Sequence, residues 1–573
     1  MWRIRSRSRL TLSEIRSTWV GRRSRLRRCG VEELRCHHFS LHLSRLFDPF
    51  VTVPAARKAR HTPSSFSMVY YFLSHSLTTS HPLSLSLSPS TTDSSPSYLF
   101  AFLQEIEQTV TTPAATQQPQ QDVVTSPAAA QQQPQTLTGR FFRCLFTSIF
   151  YSQLILISAL VIFLTLRGLL FTKSPNFHPK KWYTPLLSSV ALSGLLSLSW
   201  QCLFLCNIAA TSKATIILAP LLTFSVGIFL VLYGKTFVPG IGGLLILFSF
   251  AQAIHSWLFV TRRRREFTFT ITALSTSVLP PRTRLIAVVS SILSVLYSAF
   301  LAAGVGGATA TRRGLIDILF ISLIVKSLAW TMQVLKNVQV VAVSKAAYVH
   351  FANYDVVNAC DALCGTLRSQ LGSVCIGSTL VPVFVVIRGM IRTVNRGGNG
   401  SDRTMYAGHG DCAWVANHMV LVGNRYGFVH VGVHNKGFVQ ASRDAWQEFR
   451  RTVGLEELVD ADLTSSICFL SAFGIGAISA LTAGIWELNI HEDYFFQMTL
   501  YAFIIGYFVG RVSSAWLQAC VMAYFVAYAA NPEGANFDNT IPERIARQNV
   551  EENKSLADNE VRQTEEEQEI TYM

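Results

Sequence analysis

Charge is what this sequence has least of. Only 14% of its 573 residues are charged, whereas a soluble domain carries about 25%. Half of the residues (50%) are hydrophobic, and the mean hydropathy is +0.31. That deficit excludes a soluble globular protein and leaves an integral membrane protein, with the lipid bilayer as its first partner. Catalytic signatures are missing too. There is no nucleophile elbow, no paired-His metal motif and no phosphate-cradling glycine loop, so the chain is not read as an enzyme. Without a nucleotide-binding motif, any transport is not ATP-driven. Cysteines number eleven but are scattered. Cys202 with Cys206, and Cys360 with Cys364, stand one helical turn apart. Neither pair has the further Cys or His ligands that a metal needs, so they read as small buried residues, and neither metal nor cofactor is expected. His430 and His434 lack a carboxylate neighbour in sequence and read as surface histidines.

What charge there is has a sign: the net charge is +15. A basic chain raises the question of nucleic acid. Here the basic residues flank apolar runs or sit in the N-terminal arm, so no nucleic-acid partner is expected.

Three regions follow from composition. Residues 1–139 are a disordered N-terminal region, Arg-rich to about residue 60 and rich in Thr, Pro, Ala and Gln over 111–137. The arm resembles an organelle transit peptide. The alternation Leu83-Ser84-Leu85-Ser86-Leu87-Ser88 is also what a repeated CT dinucleotide encodes, which points to an untranslated leader and a true start at Met68 or later. Residues 140–532 carry the apolar runs. Residues 533–573 form a polar, increasingly acidic tail that reads as solvated and cytoplasmic.

A bilayer takes about 20 apolar residues per helix. Runs of that kind lie at 144–166, 183–207, 214–234, 239–260, 284–306, 315–337, 370–390 and 464–487. The last run, 494–530, would be about 55 Å long as one helix, against an apolar core of about 30 Å. It is expected either to protrude or to be broken, with Gly506 and Gly510 as a close-packing face. Orientation comes from Arg and Lys in short loops. Arg262 to Arg265 place the loop after the fourth span in the cytoplasm. A marginal crossing within 404–432 then keeps the basic stretch Asn424 to Arg451 inside. The acidic segment Glu487 to Asp493 and the sequon Asn399-Gly400-Ser401 fall outside. The fold class is thus all-α: a polytopic helical membrane protein with about ten transmembrane helices and both termini cytoplasmic.

In the basic stretch, Phe438, Ala441, Ala445 and Phe449 recur at helical spacing, with Arg443, Gln447 and Arg450 mostly on the other side. Such a helix is expected to lie along a membrane surface. The stretch also carries Asn424-Arg425, Gly427-Phe428-Val429, Asn435-Lys436-Gly437-Phe438 and Asp444-Ala445-Trp446. With Phe177-His178-Pro179-Lys180-Lys181-Trp182-Tyr183, Ser327 to Val334, Ile505-Gly506-Tyr507-Phe508, Ala515 to Cys520 and Ala527 to Pro532, it resembles the choline transporter-like family, whose plant branch has a similar pattern. The resemblance covers residues 140 to 546. It implies a transporter of choline or a related small organic cation, a solute carrier of the plasma membrane, with an endomembrane as the second choice. A different class of function, a non-transporting membrane protein that affects lipid homeostasis or vesicle traffic, stays beside it.

Candidate binding residues come from polar stripes on apolar helices, which face protein or a water-filled cavity. The longest is Ser322, Lys326, Trp330, Gln333 and Asn337. A lesser one is Ser189, Ser193, Ser197 and Trp200, with Gln201 beside it; its small residues equally suit helix packing. A quaternary ammonium has no N–H to donate, so its site needs aromatic faces. Trp330, Trp200, Trp257 and Tyr297 are the expected cage, and Gln333 and Gln201 the expected partners for a hydroxyl. Trp516 and Gln518 in the last run are further candidates. Lys326 would repel a cation, and Asp317 is on the opposite face and not its partner.

Overall fold

The computed structural model of the protein describes residues 137–170, 179–235, 237–278, 281–311, 314–352, 358–397, 421–490, 494–534 and 537–550. Among them all regular structure is helical. In chain order the helices are α1 (Leu137–Leu170), α2 (Pro179–Cys206), α3 (Ile208–Tyr233), α4 (Val238–Thr261), α5 (Arg264–Ser277), α6 (Pro281–Thr311), α7 (Leu315–Phe351) and α8 (Ala359–Gly365). A π-helical turn, Thr366–Gln370, leads into α9 (Leu371–Gly397). Then come α10 (Gly427–His434), α11 (Phe438–Arg451), α12 (Leu455–Asp460), α13 (Thr464–Ile490), α14 (Phe495–Ser513) and α15 (Ala515–Ala530). The described residues hold nine helical runs long and apolar enough to cross a membrane. The chain is an all-α polytopic membrane protein.

Each of the eight shorter apolar runs lies almost wholly within one helix. The last run is broken at Ser514, giving α14 and α15. Helix α7 continues past the expected end at Asn337 to Phe351, because Val338, Val340 and Val341 find apolar neighbours in a layer beyond the span. Of the marginal crossing at 404–432, residues 404–420 lie outside the described residues. The part that follows runs antiparallel to α9: Gly423 sits against Phe384 and Phe428 against Gly377. The N-terminal arm, the Ser-Leu repeat, Met68 and the sequon also lie outside the described residues.

Small residues set the helix crossings. In the α13–α14 hairpin, a Cβ on Gly506 would meet the Cα of Gly476 at 3.0 Å, and one on Gly510 would meet the Cα of Ala472 at 2.9 Å. Helices α1 and α6 cross where Gly168 faces Gly307. In membranes such contact is driven by close van der Waals packing rather than by water. Large apolar side chains such as Ile155, Leu156 and Leu232 point outward, as lipid-facing positions do.

At the end marked by Arg262–Arg265, α5, α10, α11, α12, α15 and the last turns of α7 form a compact layer. The amphipathic helix belongs to it. The apolar stripe of α11 is there, with Phe438, Ala441, Ala445 and Phe449 at most 1% exposed. That stripe packs on protein and not on lipid: Phe428 meets Phe438 at 4.9 Å and Tyr426 meets Phe449 at 5.0 Å. The tail begins docked on the same layer, with Phe537 stacked on Phe351 and Ile541 fully buried. His430 is no surface residue either. It is 1% exposed, with Nε2 3.3 Å from Glu448 Oε2. Conversely Cys202, Cys360 and Cys364 are exposed and not buried. At the opposite end, Glu487 lies inside α13 and not in an external loop. It is fully buried, and neither carboxylate oxygen has a hydrogen-bond partner among the described residues.

Candidate functional site

The break between α14 and α15 follows from its sequence, Gly510-Arg511-Val512-Ser513-Ser514. A serine hydroxyl competes for backbone carbonyls, and Gly/Ser pairs are common kink points. Here Ser514 Oγ donates to Gly510 O at 2.9 Å, and Ser514 has φ −85° and ψ −6°. A break inside apolar surroundings must satisfy the backbone groups it frees. Side chains from three helices do so. Gln201 of α2 donates from Nε2 to Ser513 O at 2.9 Å and to Ser513 Oγ at 2.7 Å, and it reaches Ser291 Oγ of α6 at 3.2 Å. Ser513 Oγ in turn donates to Ser197 O at 3.2 Å. With its amide oriented to satisfy both neighbours, Gln339 of α7 donates to Val512 O at 3.0 Å and accepts the backbone N–H of Trp516 at 3.2 Å. Cys468 of α13 donates from Sγ to Ser514 O at 3.5 Å.

Two tryptophans flank this joint. Trp200 and Trp516 line a small void together with Ser197, Gln201, Ser471 and Gly510. The void has room for about one water. Both indole N–H groups are buried without a hydrogen-bond partner among the described residues. Trp200 also meets Phe204 edge-on at 6.4 Å. The arrangement offers aromatic walls, two unused N–H donors and a discontinuous helix.

A second polar cluster lies between α1, α6 and α7. Tyr297 Oη is 3.0 Å from Ser327 Oγ and 3.2 Å from Thr331 Oγ1. Gln153 of α1 donates to the same Ser327 hydroxyl, and its Oε1 is buried with no partner. Trp330 stands beside this cluster, half-buried and perpendicular to Phe150, with ring centroids 5.7 Å apart. Gln333 is half-buried one turn on, and Asn337 donates to Ser378 Oγ of α9 at 2.9 Å. The long stripe of α7 therefore turns toward α1 and α9, with Lys326 exposed at its outer part.

Of the six residues expected at the site, Trp200 and Gln201 meet at the helix break. Trp330, Gln333 and Tyr297 gather at or beside the second cluster. Trp257 is 57% exposed and stands apart from both. Gln339 and Gln153 were missed. Their only sequence signal is an amide inside an apolar span, without the flanking stripe that marked Gln201.

Comparison with known proteins bears on this arrangement. The family model described as plasma-membrane choline transporter matches residues 245–533, about half of the chain. The match takes in α7, α9 and the α13–α15 segment with its break. Protein PNS1 of Mycosarcoma maydis is 24% identical over 260 residues, covering 42% of this chain and 48% of that protein. Protein PNS1 of Eremothecium gossypii is 23% identical over 332 residues, covering 51% of this chain and 59% of that protein. Protein PNS1 of Candida albicans is 22% identical over 252 residues, covering 40% and 47%. The chain thus spans about half the length of these curated relatives. On the family match, with the membrane-crossing helices in place around it, the chain belongs to the plasma-membrane choline transporter family.

Proposed function

We propose that this protein carries choline or a closely related quaternary ammonium across the plasma membrane without using ATP, and that the cation passes the α14–α15 break. The family supports a membrane transporter and not an enzyme. The observation that carries the finer reading is the break itself, flanked by Trp200 and Trp516 with their N–H groups unused. Transporter sites are commonly built at discontinuous helices, where freed backbone groups and side chains can exchange partners. Indole faces attract the ammonium, each by about 0.5–2 kcal/mol. An indole N–H or the Gln201 amide holds the hydroxyl. The conformation in hand is closed around the void, so binding requires the joint to open. Trp330, Tyr297 and Gln333 form a second station along the same bundle. The end bearing Arg262–Arg265 and both termini face the cytoplasm, by the distribution of basic residues.

The test is uptake. Purified protein in proteoliposomes takes up labelled choline saturably, in the absence of ATP, and unlabelled choline competes. Trp200→Leu weakens choline binding about 2- to 30-fold and Trp200→Phe weakens it less. Wild-type vesicles that take up no more choline than protein-free vesicles would overturn the proposal.

A further inference from the structure

The exposed cysteines among the described residues are Cys144, Cys202, Cys360 and Cys364, and two of them form a unit. Cys360 and Cys364 of α8 and Leu367 in the π-helical turn recur at helical spacing on one face, and all three are exposed. Ala362, Thr366 and Gln370 form the opposite face and are buried, and Gln370 donates from Nε2 to Gly432 O at 3.3 Å. One face therefore holds the segment to the protein, while the other presents two thiols and a leucine. Among the described residues no further ligands gather there to make a metal site.

The depth of this unit follows from charge. No residue between Arg368 and Arg388 is charged. As a helix, residues 369–387 span about 28 Å, close to the apolar core of a bilayer at about 30 Å. Arg368 thus marks one edge of that core. Helix α1 gives the same edge independently: its apolar run begins after Arg143, and Gly372, one turn from Arg368, packs against the Arg143 carbonyl. Cys364 lies one turn beyond Arg368, about 6 Å outside the core and level with the lipid headgroups. Cys360 lies one turn further out. The edge is on the side of the compact layer, because α8 follows the last turns of α7 that belong to it. The basic residues place that side in the cytoplasm, and here the inference rests on the orientation proposed above.

We propose that Cys360 and Cys364 form an S-acylation site for long-chain fatty acyl groups of the palmitoyl class. Cysteines at the cytoplasmic edge of a membrane helix are reversible acceptors of such groups. The donor is an acyl-CoA. The cysteine Sγ bonds to the acyl carbonyl carbon, the bond from that carbon to the CoA sulfur breaks, and the CoA thiol leaves with the proton that the cysteine gives up. One thioester replaces another, so no oxidant or reductant is consumed. From Cys364 the chain folds back past Leu367 into the inner leaflet. The spans already anchor this protein, so the acyl groups pin α8 and the start of α9 against that leaflet.

The experiment uses the full-length protein expressed in eukaryotic cells fed an alkynyl analogue of palmitate. The purified wild type carries label that neutral hydroxylamine removes, as a thioester requires. Cys360→Ser/Cys364→Ser loses that label, and each single variant keeps part of it. Both cysteines lie on the tryptic peptide Ala346–Arg368, which carries the acyl mass in the wild type. A wild type without hydroxylamine-sensitive label overturns the proposal, and so does a double variant labelled as strongly as the wild type. Serine at two exposed positions should leave the Tm unchanged; should the double variant misfold, the peptide decides, and its absence of acyl mass overturns the site. Loss of the thioester with the basic layer inside counts against the site alone, whereas a layer that faces outward counts against the orientation. Neither readout requires choline uptake.

Discussion

Arg167 Nη2 and Asp317 Oδ1 lie 2.9 Å apart, joining the last turn of α1 to the first turn of α7 at the end opposite the four arginines. Both side chains are at most 10% exposed. Removing one member breaks a buried ion pair, at about 3–5 kcal/mol. Asp317→Asn should therefore lower thermal stability more than the double variant Arg167→Met/Asp317→Leu. A double variant no more stable than Asp317→Asn would sink this expectation, and an Asp317→Asn melt equal to that of the wild type would show that the pair contributes little.

Trp330 can serve as a cation face or only pack against Phe150. With a cation role, Trp330→Phe keeps part of the choline affinity and Trp330→Leu loses more, about 2- to 30-fold. Binding is compared at matched folded fraction. Equal affinities would leave Trp330 as an α1–α7 packing residue. Trp257→Leu, at an exposed position, should leave binding unchanged.

Glycines of two kinds separate cleanly. Gly510→Val places a side chain against Ala472 and Ile475, an overpacking of about 1–3 kcal/mol. Gly243→Ala meets nothing within 4 Å and removes a flexible helical glycine, a gain of about 0.5–1 kcal/mol. Thermal melting in detergent should move in opposite directions for the two. A melt lowered by both would show that Gly243 also has a packing role.

Orientation can be read from labelling. Val453 is 79% exposed beside the basic layer, and Asn489 is exposed near the other end. In a background lacking the exposed cysteines, Asn489→Cys should react with an impermeant maleimide added to intact cells. Val453→Cys should react only after permeabilisation. The reverse pattern would invert the proposed topology.

Acid should loosen the docked tail. Partial burial alone would raise the Asp538 pKa, but hydrogen bonds from Thr540, Tyr524 and Thr276 hold it below the ordinary carboxylate range. Its contribution is therefore complete above the unfolded-state value of about 3.9 and declines as pH falls through that value toward the folded one. Proteolysis within residues 540–550 should accelerate over that interval in the wild type. In Asp538→Asn it should be faster at neutral pH and less sensitive to acid.

Most spans were legible in the sequence because hydrophobic length alone determines them. Partnership was not. The periodicity of Phe438, Ala441, Ala445 and Phe449 shows that one face of α11 is buried, yet it is silent on whether lipid or protein covers it. Asp317 finds its partner 150 residues away, which no local pattern reports. Glu487 adjoins Glu492 and Asp493 and so reads as part of an acidic loop, while its helix carries it inward. Trp200 and Gln201 could be picked out as polar or aromatic residues in an apolar run. That they meet Ser513 and Trp516 depends on how α2 crosses α14.

The joint at Ser514 is held by Gln201, Gln339 and Cys468, which stand on three helices other than α14 and α15. Each contact contributes on the order of 1 kcal/mol, and in a close-packed interior none can stretch by degrees. Any bending at Ser514 would have to break these contacts. The stiffness of this joint thus resides partly in side chains other than the indoles. A change such as Gln339→Leu would soften the joint while leaving the two indole faces in place.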